Sequence, residues 1–239
     1  MSITIKELDK PNLTKIKMNC DDVIHEKLTK YPMVSDCWST SSFNVVVGKM
    51  GQGKTSLVTA LVKKVFCRCF ESIYIIIPPN SRASIDNDIF GKNLPEDQIH
   101  DTLTYDGLCE IYEKLQENSS EGYNSLLIID DFQSQLKDPK ILNVLQKIIT
   151  KMRHLRVTIF LLNQNFQKLE KSLRELISSL LVFNLGKSQL EKIFDEVIQI
   201  NKDKYQELTD LAFKDKHDWL CFNLHKSRKI YRNFDEIIM

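Results

Sequence analysis

The sequence lacks any apolar stretch long enough to cross a membrane as a helix. Its first residues, MSITIKELDKPNLTK, also lack the apolar core of a signal peptide. The 239 residues carry a formal net charge of only +1, so any surface for nucleic acid must be local rather than a property of the whole chain. We therefore expect a soluble, intracellular protein that is not secreted.

The six cysteines follow neither a zinc-binding pattern nor a disulfide framework. Cys67 and Cys69 would place their thiols on different faces of a helix. His217, Cys221 and His225 are spaced by four, but the residues between them resemble a strand, whose alternation would not gather all three around one metal. We expect reduced, mostly buried thiols.

Alternating strand and helix patterns begin at residue 43 and predict an α/β fold with a mostly parallel central sheet between two helical layers. The 42% of hydrophobic residues is enough for a packed core. We expect residues 1–42 to be an N-terminal extension packed on that core, and residues 43–239 to be one domain.

Individual elements follow from periodicity and from capping residues. Strands are predicted at 43–47, 72–77, 102–104, 125–130, 157–162 and 180–183, followed by a C-terminal β-hairpin of 218–224 and 228–234. Helices are predicted at 54–70, at 106–117 with Asp106 as the cap, at 139–152, and as a pair within 188–213. A short helix is also predicted at 23–28, ending near Pro32.

Residues 48–55 read GKMGQGKT directly after the first strand, which is the Walker A pattern G-x-x-x-x-G-K-[ST] of a phosphate-binding loop (P-loop). Glycines permit the turns that let backbone N–H groups converge on phosphate oxygens at a helix N-terminus. Lys54 adds a positive charge near the β- and γ-phosphates, and the Thr55 hydroxyl is a ligand for Mg²⁺. The predicted nucleotide-binding residues are Gly48, Lys49, Met50, Gly51, Gln52, Gly53, Lys54, Thr55 and Ser56.

Two acids follow the apolar strand at 125–130, as in a Walker B element. Asp130 is placed to hold Mg²⁺ through a water beside Thr55, and Asp131 to orient or deprotonate an attacking water. Two acids can also begin a surface turn, but their position after a P-loop favours the catalytic interpretation.

A further polar group, Gln164, follows the strand at 157–162. An amide at this edge of the sheet is well placed to contact the γ-phosphate or the attacking water. We predict that Gln164 makes this contact and so acts as a sensor of the γ-phosphate. The alternative is a loop amide that caps the next helix.

The segment 137–156 contains six basic residues and the single acid Asp138. A solvated helix face explains part of this charge, and contact with a DNA backbone is another interpretation. Arg153 lies where the helix turns into the next strand, away from the P-loop of its own subunit. From there it would reach a neighbour's nucleotide as an arginine finger, and Arg156 and Arg174 are further candidates.

With these elements assembled, the chain resembles the virion DNA-packaging ATPases of large double-stranded DNA viruses, the poxvirus-type group of the FtsK–HerA clan. The segments that carry the resemblance are VVVGKMGQGKTSLV at 45–58, SLLIIDDFQ at 125–133, KMRHLRVTIFLLNQNFQKLEKSLRE at 151–175, LVF at 181–183 and WLCFNLHKSRKIYRNFDE at 219–236. An Arg-His before an apolar strand that ends in Gln is more particular to this group than the P-loop alone.

This resemblance implies a P-loop NTPase that hydrolyses ATP with Mg²⁺ and works as a homo-oligomeric ring. It implies that the motor moves double-stranded DNA into a capsid, with capsid or membrane-associated assembly proteins as further partners. The implied location is the host cytoplasm or viral factory, and the virion. The residues that match the group's functional positions are Lys54, Thr55, Asp130, Asp131, Gln164 and Arg153.

Two other functions fit a P-loop. A small-molecule kinase would use the 80–100 stretch with Arg82 as a lid over the phosphates. A nucleotide-dependent assembly switch is the second, but the chain lacks the Asn-Lys-x-Asp and Asp-x-x-Gly segments that GTPase switches use.

Overall fold

The computed structural model describes residues 4–9, 31–38, 41–83, 94–199, 201–225 and 227–238. Its strands are β1 (Thr4–Lys6), β2 (Phe43–Val47), β3 (Ser72–Ile76), β4 (Ile99–His100), β5 (Ser125–Asp130), β6 (Val157–Asn163), β7 (Ser179–Phe183), β8 (Trp219–Asn223), β9 (Ile230–Arg232) and β10 (Asp235–Ile238). Its helices are α1 (Pro32–Cys37), α2 (Lys54–Lys64), α3 (Pro79–Ala83), α4 (Tyr105–Ser120), α5 (Pro139–Thr150), α6 (Lys171–Arg174), α7 (Lys187–Ile193) and α8 (Lys204–Ala212).

All ten of these strands form one sheet in the order β1-β10-β9-β8-β7-β2-β6-β5-β3-β4. The six strands from β7 to β4 are parallel, and β8, β9, β10 and β1 continue the sheet in antiparallel pairs. The predicted α/β fold with a mostly parallel sheet is confirmed, and so is the C-terminal hairpin, here β8 and β9.

Helices cover both faces of the sheet, so the central strands are buried along their whole length. On one face, α4, α5, α7 and α8 pack against residues such as Val45 and Leu127. On the other face, α1 and α2 pack against Val46 and Ile128. Successive residues of β2 therefore serve opposite cores, as the alternation of side chains along a strand requires.

Helix α5 begins as its sequence predicts, because Asp138 Oδ1 accepts the Lys140 N–H at 2.8 Å and Pro139 occupies the first turn. Helix α4 begins earlier than predicted. Thr104, rather than Asp106, caps it by accepting the Gly107 N–H at 3.1 Å. The predicted strand at 102–104 is wrong, because these residues lead into this cap and the edge strand is Ile99–His100.

Three further differences concern element ends. Helix α2 ends at Lys64 rather than at residue 70, and the turn that follows includes Arg68 with a φ of 60°. Pro32 begins α1, which was not predicted, and the predicted helix at 23–28 lies outside the described residues. The strands β1 and β10 were not predicted: β1 has three residues, and its pairing with β10 is a tertiary contact.

The described cysteines all have free thiols. The sulfur atoms of Cys37 and Cys221 lie 3.7 Å apart. His217 and His225 lie beyond opposite ends of β8, so they do not join Cys221 in a metal site. Within the described part of the chain, no helix has the length and apolar character needed to cross a bilayer.

Helix α1 is joined to the C-terminal strands through Asp36. Its carboxylate accepts the hydroxyls of Ser227 at 2.5 Å and Tyr231 at 2.7 Å. Burial acts to raise the pKa of Asp36, but hydrogen bonds from Ser227, Tyr231 and Asn223 outweigh it and hold the pKa below its usual value. The charged form is therefore favoured by folding.

We predict that Asp36→Asn lowers the free energy of unfolding by about 1–2 kcal/mol at neutral pH, because two charge-assisted hydrogen bonds are weakened. A carboxyl with a lowered pKa contributes stability above its unfolded pKa and loses it as pH falls through the folded pKa. Urea unfolding should therefore show a difference from wild type that shrinks below the usual value of 3.8. Glu110→Gln, on the exposed side of α4, is the control. An equal deficit at acidic and neutral pH would contradict this role.

Candidate active site

The P-loop leaves the buried strand β2 at Gly48 and enters α2 at Lys54. Gly51 has a φ of 75° and Gly53 a φ of 98°, a region in which a side chain is strained. Gly53 is also the N-cap of α2. The first N–H groups of this eleven-residue helix have no partner within the helix and are available to an anion.

Gly48 is required for a different reason, which is close packing. A Cβ at this position would lie 3.0 Å from Phe183 Cβ on β7. The Gly48 N–H donates to the Asn163 carbonyl at the end of β6, with an N–O distance of 3.1 Å. The start of the loop is therefore seated between two strands.

Lys54 points back into the loop that precedes it. Its Nζ donates to the carbonyls of Gly48 at 2.7 Å and Lys49 at 3.2 Å, and the residue is only 8% exposed. Burial lowers the pKa of Lys54, and the charges of Asp130 and Asp131, which act to raise it, do not offset that effect. The loop carbonyls therefore hold the ammonium at the centre of the loop.

Thr55 and Asp130 form the next part of the site. The Thr55 hydroxyl donates to Asp130 Oδ2 at 2.7 Å, and Asp130 is 2% exposed at the end of β5. Burial raises the pKa of Asp130, and the negative charge of Asp131 raises it further. The hydrogen bond from Thr55 and the positive charge of Lys54 act to lower it but do not offset the increase. A hydroxyl and a buried carboxylate in contact are the hard oxygen ligands that suit Mg²⁺.

No group of three or more His, Cys, Asp or Glu residues able to hold a metal occurs among the described residues. A magnesium ion between Thr55 and Asp130 would therefore take its other ligands from water or phosphate, as Mg²⁺ commonly does. The two protein oxygens fit that type of site.

Asp131 and Gln164 meet although they lie 33 residues apart. Asp131 follows β5 with a φ of 60°, and its N–H donates to the Leu162 carbonyl at 3.2 Å. Gln164 Nε2 donates to Asp131 Oδ2 at 2.6 Å. The alternative role for Gln164, capping the next helical turn, belongs to Asn165, whose Oδ1 accepts the Gln167 N–H.

These groups line one cavity of about 410 Å³ at the carboxyl edge of the parallel strands. Its walls are Met50, Gly51, Gly53, Lys54, Thr55, Ser56, Asn80, Ser81, Asp130, Asp131 and Gln164. Asn80 and Ser81, from α3, were not predicted individually; the sequence indicated only the 80–100 stretch, as a lid over the phosphates in a kinase. The other predicted loop residues, Gly48, Lys49 and Gln52, support the loop from outside this cavity.

A second cleft, of about 420 Å³, surrounds Arg174 and contains none of the predicted phosphate-site residues. Arg174 forms an ion pair of 2.5 Å with Glu196 and lies 5.3 Å from the centre of the Phe166 ring. The walls of this cleft extend from Phe166, just after β6, to the end of β8, which lies at the opposite edge of the sheet from the P-loop. The predicted phosphate-site residues lie instead in the first cavity, whose walls include the P-loop with Lys54 and Thr55 and the acids Asp130 and Asp131.

Arg153 and Arg156 lie in the turn before β6, also at the edge opposite the P-loop. Arg153 is exposed, and its Nη2 lies 2.9 Å from His225 Nε2. The structure thus separates all three arginine candidates from the phosphate site of their own chain. Their action on a neighbouring subunit stays a prediction.

Sequence reasoning did not predict the roles of Asn163 and His217, nor the side-chain hydrogen bonds of Gln52, which was predicted only as a nucleotide-binding residue. Asn163, only 1% exposed, accepts the Gln164 N–H through Oδ1 at 2.9 Å. Gln52 Oε1 accepts the Lys49 N–H at 2.5 Å, and Gln52 Nε2 donates to the Asn184 carbonyl. His217 contacts the Gln52 carbonyl although the two residues are 165 positions apart in the sequence. A contact over this separation cannot be predicted from periodicity or motifs within a short segment.

Comparison with solved structures finds viral genome-packaging NTPases. B204 from Sulfolobus turreted icosahedral virus 2 in complex with AMP is 16% identical, with a TM-score of 0.58 over 82% of this chain and 98% of that one. The same protein with ATP-gammaS is 18% identical, with a TM-score of 0.54 over 82% and 97%. B204 from Sulfolobus turreted icosahedral virus, described as a DNA-packaging ATPase, is 16% identical, with a TM-score of 0.56 over 80% and 96%.

Comparison with curated protein sequences gives no significant match. At the identities above, the solved structures establish the fold, which is that of a P-loop ATPase. The sequence profile described as Poxvirus A32 protein matches residues 35–218, which is more than half of the chain. The resemblance seen in the sequence is therefore confirmed: the chain belongs to the poxvirus A32 protein family and is a P-loop ATPase.

Proposed function

We propose that this protein is an ATP-hydrolysing motor that moves double-stranded DNA into a viral capsid. The observation that carries the proposal is the convergence of Lys54, the Thr55–Asp130 pair and the Asp131–Gln164 pair on one cavity. Membership of the poxvirus A32 family and similarity to genome-packaging NTPases support the motor function over other uses of a P-loop.

ATP is the proposed substrate. The loop N–H groups and Lys54 would bind the β- and γ-phosphates, since a helix N-terminus and a buried ammonium both favour negative charge. Thr55 and Asp130 would hold Mg²⁺, directly or through water. When bound, Mg²⁺ would supply positive charge that offsets the negative charge of the phosphates.

Asp131 and Gln164 are the proposed hydrolytic pair. One oxygen of the Asp131 carboxylate accepts the Gln164 amide, and a carboxylate can use its other oxygen to orient a water and accept its proton. The Gln164 side chain would contact the γ-phosphate or that water. The short hydrogen bond between them keeps both groups at the end of the cavity that faces β5 and β6.

We propose that the chain assembles into a homo-oligomeric ring, in which Arg153 contacts the nucleotide of the neighbouring subunit. Arg153 is exposed and lies far from its own P-loop, the arrangement that a trans-acting residue requires. Arg156 shares its turn. Arg174 would first have to break its ion pair with Glu196, so it is a weaker candidate than Arg153.

The proposed DNA surface is the basic stretch around α5, which would contact the phosphate backbone rather than base edges. Its residues are the four lysines Lys137, Lys140, Lys147 and Lys151. Lys147 lies 4.3 Å from the centre of the Tyr112 ring on α4, a cation–π contact that orders this lysine at the surface. Capsid or membrane-associated assembly proteins are the proposed further partners, and the host cytoplasm, viral factory or virion the proposed location.

The first prediction separates the motor from a small-molecule kinase. Double-stranded DNA should raise steady-state ATP turnover several-fold, and the stimulation should fall steeply with salt because phosphate contacts release counterions. Phosphate release measured over a salt series tests this. A rate unaffected by DNA, together with phosphate transfer to a nucleoside or nucleotide, would instead support the kinase, whose cavity would include Asn80 and Ser81.

The second prediction concerns the P-loop lysine. Lys54→Ala should reduce ATP turnover by about 100-fold or more, because the charge that stabilises the transferring phosphoryl group is lost. Circular dichroism should show an unchanged fold. Lys114→Ala, an exposed lysine on α4, is the matched control and should keep full turnover. Substantial turnover in Lys54→Ala would contradict the assigned role.

The third prediction tests action between subunits. Arg153→Ala and Asp131→Asn should each lack turnover while still binding nucleotide. In a randomly mixed ring, the Arg153→Ala subunit supplies an intact Asp131 and a neighbouring Asp131→Asn subunit supplies an intact Arg153. At equal mixing about a quarter of the sites have this arrangement, so activity should return to at most about a quarter of the wild-type rate. The same mixing with Arg156→Ala and Arg174→Ala identifies the arginine involved. Co-assembly without any recovery would exclude a trans role for Arg153.

A further inference from the structure

His217 contacts the P-loop from outside the cavity. Its Nδ1 lies 3.0 Å from the carbonyl oxygen of Gln52. A carbonyl oxygen only accepts hydrogen bonds, so Nδ1 carries the proton and donates. A Cβ on Gly53 would lie 3.3 Å from this nitrogen, so the imidazole packs against backbone that a side chain would crowd.

This contact determines the orientation of one peptide group. In a planar trans peptide, the carbonyl and the following N–H point in opposite directions. His217 holds the Gln52 carbonyl, so the N–H of Gly53 points away from the imidazole. Gly53 lines the phosphate cavity and His217 does not, which places the cavity on the side that this N–H faces. Gly53 has a φ of 98° and no side chain, so this peptide group would otherwise turn over easily.

The Gln52 side chain secures the same residue from another direction. It accepts the Lys49 N–H and donates to the Asn184 carbonyl, just after β7. Gln52 is therefore held through both its backbone and its side chain. These contacts tie the loop to the strand β7 and to the turn at His217.

A buried acid fixes the turn that presents His217. Asp218, 6% exposed, accepts the backbone N–H groups of Lys214 and Asp215 at 3.0 and 2.8 Å. It also accepts Arg232 Nη2 at 2.7 Å and Asn233 Nδ2 at 2.8 Å. Burial acts to raise the pKa of Asp218, but these bonds outweigh it and hold the pKa below its usual value. The turn is thus anchored to β9 and to the β9–β10 connection.

We propose that His217 is a positioning residue for the P-loop: it orients the Gln52–Gly53 peptide so that the Gly53 N–H faces the triphosphate, and the Asp218–Arg232–Asn233 cluster holds it in place. This inference rests on the proposed binding of ATP at the P-loop. It gives the antiparallel C-terminal strands a function, which is to support the phosphate site from 165 residues away in sequence.

The expected signature is weaker nucleotide binding without loss of chemistry. Losing one well-directed N–H donor should raise the Kd for ADP and the KM for ATP by about tenfold. The kcat should stay within about twofold of wild type, because Asp131 and Gln164 are not in contact with His217. A merely structural role would lower the thermal unfolding temperature and would not separate KM from kcat in this way.

The test compares three substitutions in the full chain: His217→Ala, His217→Phe and His217→Asn. Alanine and phenylalanine lack the donor and should both weaken binding. Asparagine places an amide NH₂ near the position of Nδ1 and should restore binding to within about twofold of wild type. Lys216→Ala, in the same exposed turn, is the matched control. Titration with a fluorescent ADP analogue, steady-state ATP hydrolysis and thermal unfolding are measured for each.

The outcomes separate this inference from the proposed function. If wild type binds no ADP and hydrolyses no ATP, the proposed function itself fails. If wild type is active but His217→Ala and His217→Phe bind ADP as wild type does, only the positioning role is excluded. Equal weakening in all three substitutions, or loss of kcat together with thermal stability, would also overturn it. If His217→Ala does not fold, the contrast between phenylalanine and asparagine gives the answer.

Discussion

The parallel pairing of β2, β5 and β6 is the constraint on which the site depends. Val47 at the end of β2 is opposite Asn163, and Asp130 at the end of β5 is opposite Leu162. Because the strands run in one direction and end in register, the groups that follow them meet at one edge of the sheet. Backbone hydrogen bonding between the strands is therefore enough to place the P-loop, the paired acids and Gln164 side by side.

Burial gives the charges at this edge their chemical character. It lowers the pKa of Lys54 and raises the pKa of Asp130, while the attraction between the two charges acts against both shifts. Buried charges such as these interact strongly with a charged ligand, because little water screens them. A magnesium nucleotide would bring negative phosphate to Lys54 and a cation to Asp130, and so would satisfy both groups.

The two edges of the sheet therefore have different tasks in the proposed motor. The carboxyl edge holds the groups that bind and cut a triphosphate, and the amino edge presents Arg153, next to His225, to other molecules. The antiparallel strands β8 to β10 connect these edges. Through Arg232 and Asp218 they support His217 on the P-loop, and through Tyr231 and Asp36 they hold α1.

Sequence alone determined the elements whose signal is local: the P-loop, the apolar strands followed by polar groups, the capped start of α5 and the membership of a family. These follow from periodicity, glycine spacing and capping, which a short window contains. It did not determine β1, β10, the contact of His217 with Gln52, or the pairing of Gln164 with Asp131. Only the tertiary structure decided these, because each depends on strand order and register, which bring together residues that are distant along the chain.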